Sequence, residues 1–133
     1  MTKVYDSLRR RSVEKTAEEV VRQWFIGYLK SDAVKVPPGL MNSEVGFRLG
    51  EKKYRADIMI WDRDARRLAV VECKRPEVKL SAEVLDQAVR YNIALGVKWL
   101  FLTNGKCTYA LKKIEGNFVP QDKMPTYEEM LAE

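Results

Sequence analysis

The chain has 133 residues, with 24 Lys and Arg against 19 Asp and Glu for a net charge of +5, and it contains no His. That length suits one domain over residues 1–133, with a real core but no room for a motor or a second catalytic unit. Without imidazole, Ser-His and Cys-His nucleophiles and His-based metal sites are excluded, which leaves carboxylates, Lys, Tyr or an oxygen-bound metal for any chemistry.

The basic bias is compatible with nucleic acid or simply with solubility. No apolar segment near the N-terminus resembles a signal peptide, and no window approaches about 18 apolar residues. A cytoplasmic protein with no membrane partner is therefore expected. The two cysteines, Cys73 and Cys107, fall in apolar strand-like stretches without zinc-type spacing, which predicts buried free thiols.

In chain order, apolar residues recur at helical spacing from Ser12 to Leu29, with Ala17, Val21, Trp24, Phe25 and Tyr28 on one stripe, so a helix is expected there. The basic run Leu8-Arg9-Arg10-Arg11 reads as the solvated start of that helix, with phosphate contact by a flexible arm as the alternative. Val36-Pro37-Pro38-Gly39 breaks the helix, Ser43 to Leu49 alternates as a strand, and Gly50 to Lys53 is a turn.

Two more strands follow. Arg55-Ala56-Asp57 opens the apolar run IMIW, Glu72-Cys73-Lys74 closes the run LAVV, and the polar segment Asp62 to Arg67 joins them. Pro76 ends the second of these, and Ser81 is an N-cap for a helix through Val84, Leu85, Ala88 and Tyr91 to about Leu95, before Gly96. Lys98 to Thr103 is a strand, Asn104-Gly105 a hairpin turn into Cys107 to Ile114, and Met124-Pro125-Thr126 the start of a short terminal helix. The order helix, three strands, helix, two strands predicts an α/β fold with a central mixed sheet flanked by helices.

A symmetric hairpin centred between Asp64 and Ala65 places Asp57 opposite Glu72, with Cβ atoms about 5 Å apart. Carboxylates that close call for a proton or a cation between them. Alternation along the strand puts Glu72 and Lys74 on one face and Cys73 on the other, leaving the Cys73 carbonyl as a further oxygen ligand. Asp57, Glu72 and Lys74 are thus expected to form one cluster, and oxygen ligands of this kind suit Mg²⁺ or Mn²⁺.

RADIMIW, VVECKRP, the segment Asp86-Gln87-Ala88-Val89-Arg90-Tyr91 and Leu102-Thr103-Asn104-Gly105 together resemble the PD-(D/E)XK nuclease superfamily, specifically the N-terminal nuclease domain of type I restriction enzyme R subunits. The resemblance covers roughly Glu18 to Tyr109. It implies the restriction-endonuclease-like fold and metal-dependent hydrolysis of DNA phosphodiester bonds. Asp57 and Glu72 would hold Mg²⁺, Lys74 would orient water or stabilise the phosphate, and Gln87 and Tyr91 would position substrate from the second helix.

The superfamily often supplies another acidic residue from the first helix, for which Glu18 and Glu19 compete. Taking about 100° per residue from Val21, Phe25 falls at about 40°, Tyr28 at about −20°, Glu18 at about 60° and Glu19 at about 160°. Glu18 then borders the buried stripe and is the expected metal ligand, while Glu19 points to solvent.

Arg55, Arg75, Lys79 and Arg90 are near enough in sequence to meet phosphates. DNA is the implied partner, and no residue distinguishes it from RNA. A homodimer or a larger restriction-type complex is the expected assembly, and the chain reads as an excised domain or a free-standing relative. The phosphate-loop pattern G-x-x-x-x-G-K-[ST] is absent, so ATP-driven translocation is not encoded in this sequence. The alternative reading is a nucleic-acid-binding or complex-assembly module with little cleavage of its own, and a third is action on another phosphate ester such as structured RNA.

Overall fold

The computed structural model describes residues 2–132, the Glu14 side chain excepted. Its first departure from expectation lies at the N-terminus, where Lys3–Asp6 (β1) and Arg11–Glu14 (β2) pair as an antiparallel hairpin. The first helix, α1, therefore spans Ala17–Lys30 rather than beginning at Ser12. The stop signal is Thr16, whose hydroxyl accepts from the Glu19 amide and caps the helix at 3.0 Å. Glu18 and Glu19 in the first turn and Lys30 in the last complement the helix dipole. Short apolar alternation before a cap fits a strand as well as a helical turn, and pairing decided the matter.

After a short 3₁₀ turn at Pro38–Leu40, Met41–Leu49 (β3), Lys52–Trp61 (β4) and Arg67–Cys73 (β5) form an antiparallel meander. Ser81 accepts from the Val84 amide and opens α2, Ala82–Asn92, which passes through a 3₁₀ turn to Gly96 in the left-handed region at φ 70°. That crossover lets Trp99–Thr103 (β6) lie parallel to β5, after which Thr108–Ile114 (β7) and Asn117–Gln121 (β8) complete a six-stranded mixed sheet in sequential order. Tyr127–Leu131 (α3) follows, with a reciprocal capping box between Thr126 and Glu129.

Strand β8 goes beyond the expected order. Pro120 argues against a strand interior, yet β8 is an edge strand where a missing amide is tolerated. Its turn, Glu115-Gly116, has positive φ at both positions, 50° and 82°, the primed geometry that matches strand twist.

Two apolar layers cover the sheet. On one side Val21, Phe25, Ile26 and Leu29 of α1 and Tyr127 and Met130 of α3 pack on Ile58, Ile60, Val71 and Phe101. On the other, Ala88 and Leu95 pack on Met59, Val70, Leu100 and Leu102. Trp24, expected on the buried stripe, is half exposed. Cys73 is buried and free as expected, whereas Cys107 is free but exposed in the turn before β7. Among the described residues no helix is long and apolar enough to cross a membrane.

One feature of the sheet positions the site. Residues two apart on a strand ordinarily share a face. On β4, however, Ala56 packs in the α2 layer while Ile58 packs in the α1 layer. On β3, Met41 packs in the α1 layer and Val45 and Phe47 against the α2 layer. The β3–β4 ladder passes from Ser43↔Ile58 to Val45↔Ala56 without a Glu44–Asp57 pair, and Glu44 has φ 54°. Both strands therefore exchange faces at Glu44 and Asp57.

The Asn104-Gly105 turn carries a stability prediction. The Asn104 carboxamide oxygen accepts from the Lys106 and Cys107 amides, and Gly105 has φ 87° with a Cβ position 3.4 Å from a Val21 methyl. Gly105→Ala should lower unfolding free energy by about 1 kcal/mol, read as a reduced urea midpoint. Gly39→Ala, at a position with open space around it, should leave the midpoint nearly unchanged.

Candidate functional site

A buried guanidinium lies at the centre of the site. Arg22 on α1 is 4% exposed and meets Glu19 at 2.7 Å, Glu44 at 2.7 Å, Asp57 at 3.0 Å and Glu18 at 3.4 Å. Burial alone would lower its pKa, but Asp57 and Glu19 outweigh that and push it up, so the cation is firmly held.

Glu19 is buried, not solvent-facing, because Arg9 of the hairpin and Arg22 both close on it. The helical wheel explains the correction. The buried arc runs from Val21 through Phe25 and Leu29 to Ile26 at about 140°, with its centre at about 70° rather than near Val21, so Glu19 at about 160° borders it. Glu19 is held below its ordinary pKa range: burial opposes this, but hydrogen bonds from Gln23, Arg9 and Arg22 prevail.

Glu18 is the more exposed of the two, yet it leans toward the strands. Burial first, and then the Asp57 carboxylate, push its pKa up, with Arg22 and Lys74 pulling the other way. Asp57, Arg22 and Lys74 thus all act on Glu18 at the N-terminal end of α1.

Asp57 sits where β4 changes face. One oxygen accepts from Arg22 and the other accepts from the Cys73 amide at 2.7 Å. The β4–β5 register, Ile58↔Val71 through Ile60↔Ala69, follows the expected hairpin centre, although a shift between Ile60 and Trp61 makes the loop end asymmetric. Beyond Ile58 the two carboxylates part company: Asp57 reaches Arg22 on the α1 side, while Glu72 hydrogen-bonds Asn92 of α2 at 3.1 Å.

Glu72 and Lys74 do share a face, with Nζ 3.1 Å from Oε2. The Lys74 amide donates to the Thr103 carbonyl at 2.8 Å, which anchors the strand end from β6. Cys73 points into the α1 layer, where burial and then Asp57 push its thiol well above the ordinary range, so only its carbonyl is a credible oxygen donor. After burial and Asp57, the Glu18 and Glu72 carboxylates also contribute to raising that thiol.

The α2 residues divide differently from expectation. Gln87 is exposed, and among the described residues its side chain makes no hydrogen bond. Tyr91 accepts from the Arg55 amide at 2.8 Å and packs against Tyr54, tying α2 to β4. The α2 residue that meets Glu72 is Asn92, 1% exposed and also bonded to the Ala88 carbonyl. Asn92, Arg22 and Glu44 are site residues that sequence reasoning did not assign. A polar residue at the end of an apolar helix face was the available signal for Asn92; Glu44 carried none.

The donor set is chemically suited to a hard divalent cation. Glu18, Asp57, Glu72 and the Cys73 carbonyl are all oxygen donors, the kind of ligand that Mg²⁺ and Mn²⁺ take. Among the described residues no group of three or more His, Cys, Asp or Glu side chains stands close enough together to hold a metal ion. The arrangement fits an open site that leaves several positions to water or substrate.

Residues 17–125 match the family model for the type I restriction enzyme R protein N terminus. No curated protein matches the sequence. The chain is similar in structure to a fragment assigned to an HsdR subunit of a type I restriction enzyme from Vibrio vulnificus YJ016, with 22% identity and a TM-score of 0.66 over 88% of this chain and 25% of that one. It is also similar to a protein assigned as a DUF820 nuclease from Anabaena variabilis ATCC 29413, with 9% identity and a TM-score of 0.51 over 91% of this chain and 76% of that one. The chain spans a quarter of the length of the Vibrio protein. At these identities the two structures bear on the fold alone, and they agree with the expected mixed sheet flanked by helices.

The ion network makes two predictions. Arg22→Met leaves Glu19 and Asp57 without their buried counter-charge and should cost about 3–5 kcal/mol of stability by chemical denaturation. The second concerns Asp6, which is fully buried. Burial works to raise its pKa, but hydrogen bonds from Arg9, Ser43 and the Leu8 amide lower it from 3.8 to about 2. Because the folded value lies below the unfolded one, this stabilisation is complete above about pH 4 and disappears as pH falls through about 2. The stability gap between wild type and Asp6→Asn should therefore be widest at neutral pH and close over that window in urea titrations.

Proposed function

The chain belongs to the family of type I restriction enzyme R protein N termini, and on that premise we propose that it is a Mg²⁺-dependent nuclease that hydrolyses DNA phosphodiester bonds. The observation that supports this reading is that Asp57 of β4 accepts from the Cys73 amide at the end of β5, between Glu72 and Lys74, which pair with each other.

Each residue has a part. Glu18, Asp57, Glu72 and the Cys73 carbonyl would hold the cation. Bound there, Mg²⁺ or Mn²⁺ supplies a polarised phosphoryl oxygen and a water of lowered pKa. Lys74, paired with Glu72, is placed to donate to a phosphate oxygen or to orient the attacking water. Asn92 fixes the Glu72 carboxylate from behind, and Arg22 and the Cys73 amide fix that of Asp57. Tyr91 acts through the β4 backbone, and Gln87, exposed on the helix surface, is available to substrate.

The second reading, a nucleic-acid-binding or complex-assembly module with little cleavage alone, is favoured by one observation. Both Asp57 oxygens already have partners, Arg22 and the Cys73 amide. A cation must share Asp57 with them or displace the guanidinium.

Incubation of the purified chain with plasmid, linear duplex, single-stranded DNA and RNA in Mg²⁺ or Mn²⁺ separates the readings. The nuclease reading expects metal-dependent cleavage that falls at least about a hundredfold in both Asp57→Ala and Lys74→Ala. Cleavage surviving in both variants would assign it elsewhere, and metal-independent binding without cleavage would favour the module.

A further inference from the structure

The β1–β2 hairpin lies outside residues 17–125 that match the family, and the site just described uses none of its exposed side chains. It is nonetheless firmly attached to that site. Asp6 accepts from the Leu8 and Arg9 amides, from the Arg9 guanidinium and from the Ser43 hydroxyl, which ties the tip of the hairpin to β3. Arg9 continues to Glu19, and Glu19 to Arg22, so one chain of ion pairs runs from the hairpin to Asp57. Leu8 adds an apolar anchor on the α1 layer.

An open groove of about 970 Å³ separates the hairpin from the start of α1. Lys3, Arg11, Lys15 and Arg75 line it, together with Glu18, Glu19 and Glu44. Two of the carboxylates there are closely matched, Glu19 by Arg9 and Arg22 and Glu44 by Arg22 and Arg55, while Glu18 has Arg22 at 3.4 Å. Among the described residues Arg10, Arg11 and Lys15 have no carboxylate at ion-pair distance, and Arg75 has only the exposed Glu77 at 3.3 Å. The groove thus carries unmatched positive charge and shares Glu18, Arg22 and Glu44 with the site.

The hairpin also presents an aromatic ring. Tyr5 is 59% exposed, more than any other large apolar side chain among the described residues. It shares a face of the hairpin with Lys3, two residues before it, and pairs with Ser12 across the ladder; Lys3 and Ser12 line the groove, and Tyr5 stands next to it. Cations beside an uncovered ring match phosphates beside an uncovered base. In a duplex the faces of internal bases are covered by their neighbours, so a ring on the surface is useful chiefly to a single strand.

We propose that the N-terminal hairpin grips single-stranded DNA, with Arg11 and Lys15 on its phosphates and one base stacked on Tyr5. The direction of the strand, inward to Glu18 and Asp57, rests on the nuclease reading; the grip itself does not.

Fluorescence anisotropy of the full chain in EDTA, with a labelled oligonucleotide of about 15 nucleotides and a duplex of equal length, tests the grip without cleavage. Wild type should prefer the single strand. Tyr5→Ala should weaken single-strand binding about tenfold while Tyr5→Phe keeps it. Reversing Arg11 and Lys15 to Glu together should weaken binding and flatten the slope of log affinity against log salt by about 1.4. Equal affinity for duplex and single strand, or unchanged single-strand affinity in Tyr5→Ala, would overturn the grip. Binding as expected in EDTA, followed by no cleavage when Mg²⁺ is added, would leave the grip standing and remove the nuclease reading.

Discussion

The structure around the site depends on a single buried cation. A guanidinium removed from water is costly unless negative charge meets it, and Arg22 meets carboxylates from α1, β3 and β4 through its two terminal nitrogens, its Nε being buried without a hydrogen-bond partner. Apolar packing of α1 on the sheet is non-directional and would tolerate sliding. The ion pairs are directional, so they set the position of the helix along the strands. They also set the rotamer of Asp57, whose second oxygen is then free to take the Cys73 amide.

That cation also accounts for the exchange of faces in β3 and β4. A left-handed Glu44 costs about 1 kcal/mol, and two guanidiniums, Arg22 and Arg55, offset it. At this pivot Asp57 leaves the sheet sideways toward α1, while Glu72, on a regular strand, keeps to the α2 side and is held by Asn92. The two carboxylates approach the strand ends from different directions. A cleft open to a large anionic substrate is more easily built that way than by two side chains projecting in parallel.

Much of the fold was legible because it follows from local rules. Ser81 and Gly96 bound the second helix, Asn104-Gly105 made its turn, and the centre of the β4–β5 hairpin came from the placement of apolar runs. The failures have a common cause in tertiary context. Four residues of strand at Arg11–Glu14 became visible only through pairing, β8 was obscured by a proline that an edge position allows, and Glu19 was judged by apolar periodicity although ions bury it. The site followed the same division. Alternation was sufficient to unite Glu72 with Lys74, but a face exchange driven by Glu44 cannot be read from a strand's own residues, and it moved Asp57 away from simple apposition.

The hydrogen bond from the Cys73 amide to Asp57 gives the site a reporter of its own. A backbone proton in the middle of a sheet usually answers to another backbone carbonyl, and so records only global or regional opening. This proton answers to a side chain. Its chemical shift and its rate of exchange with solvent follow the rotation of one carboxylate, on a strand whose next amide, Lys74, is held by the Thr103 carbonyl and supplies an internal reference. Two neighbouring amides in one nuclear magnetic resonance spectrum thus distinguish a rearrangement of Asp57 from a loosening of β5.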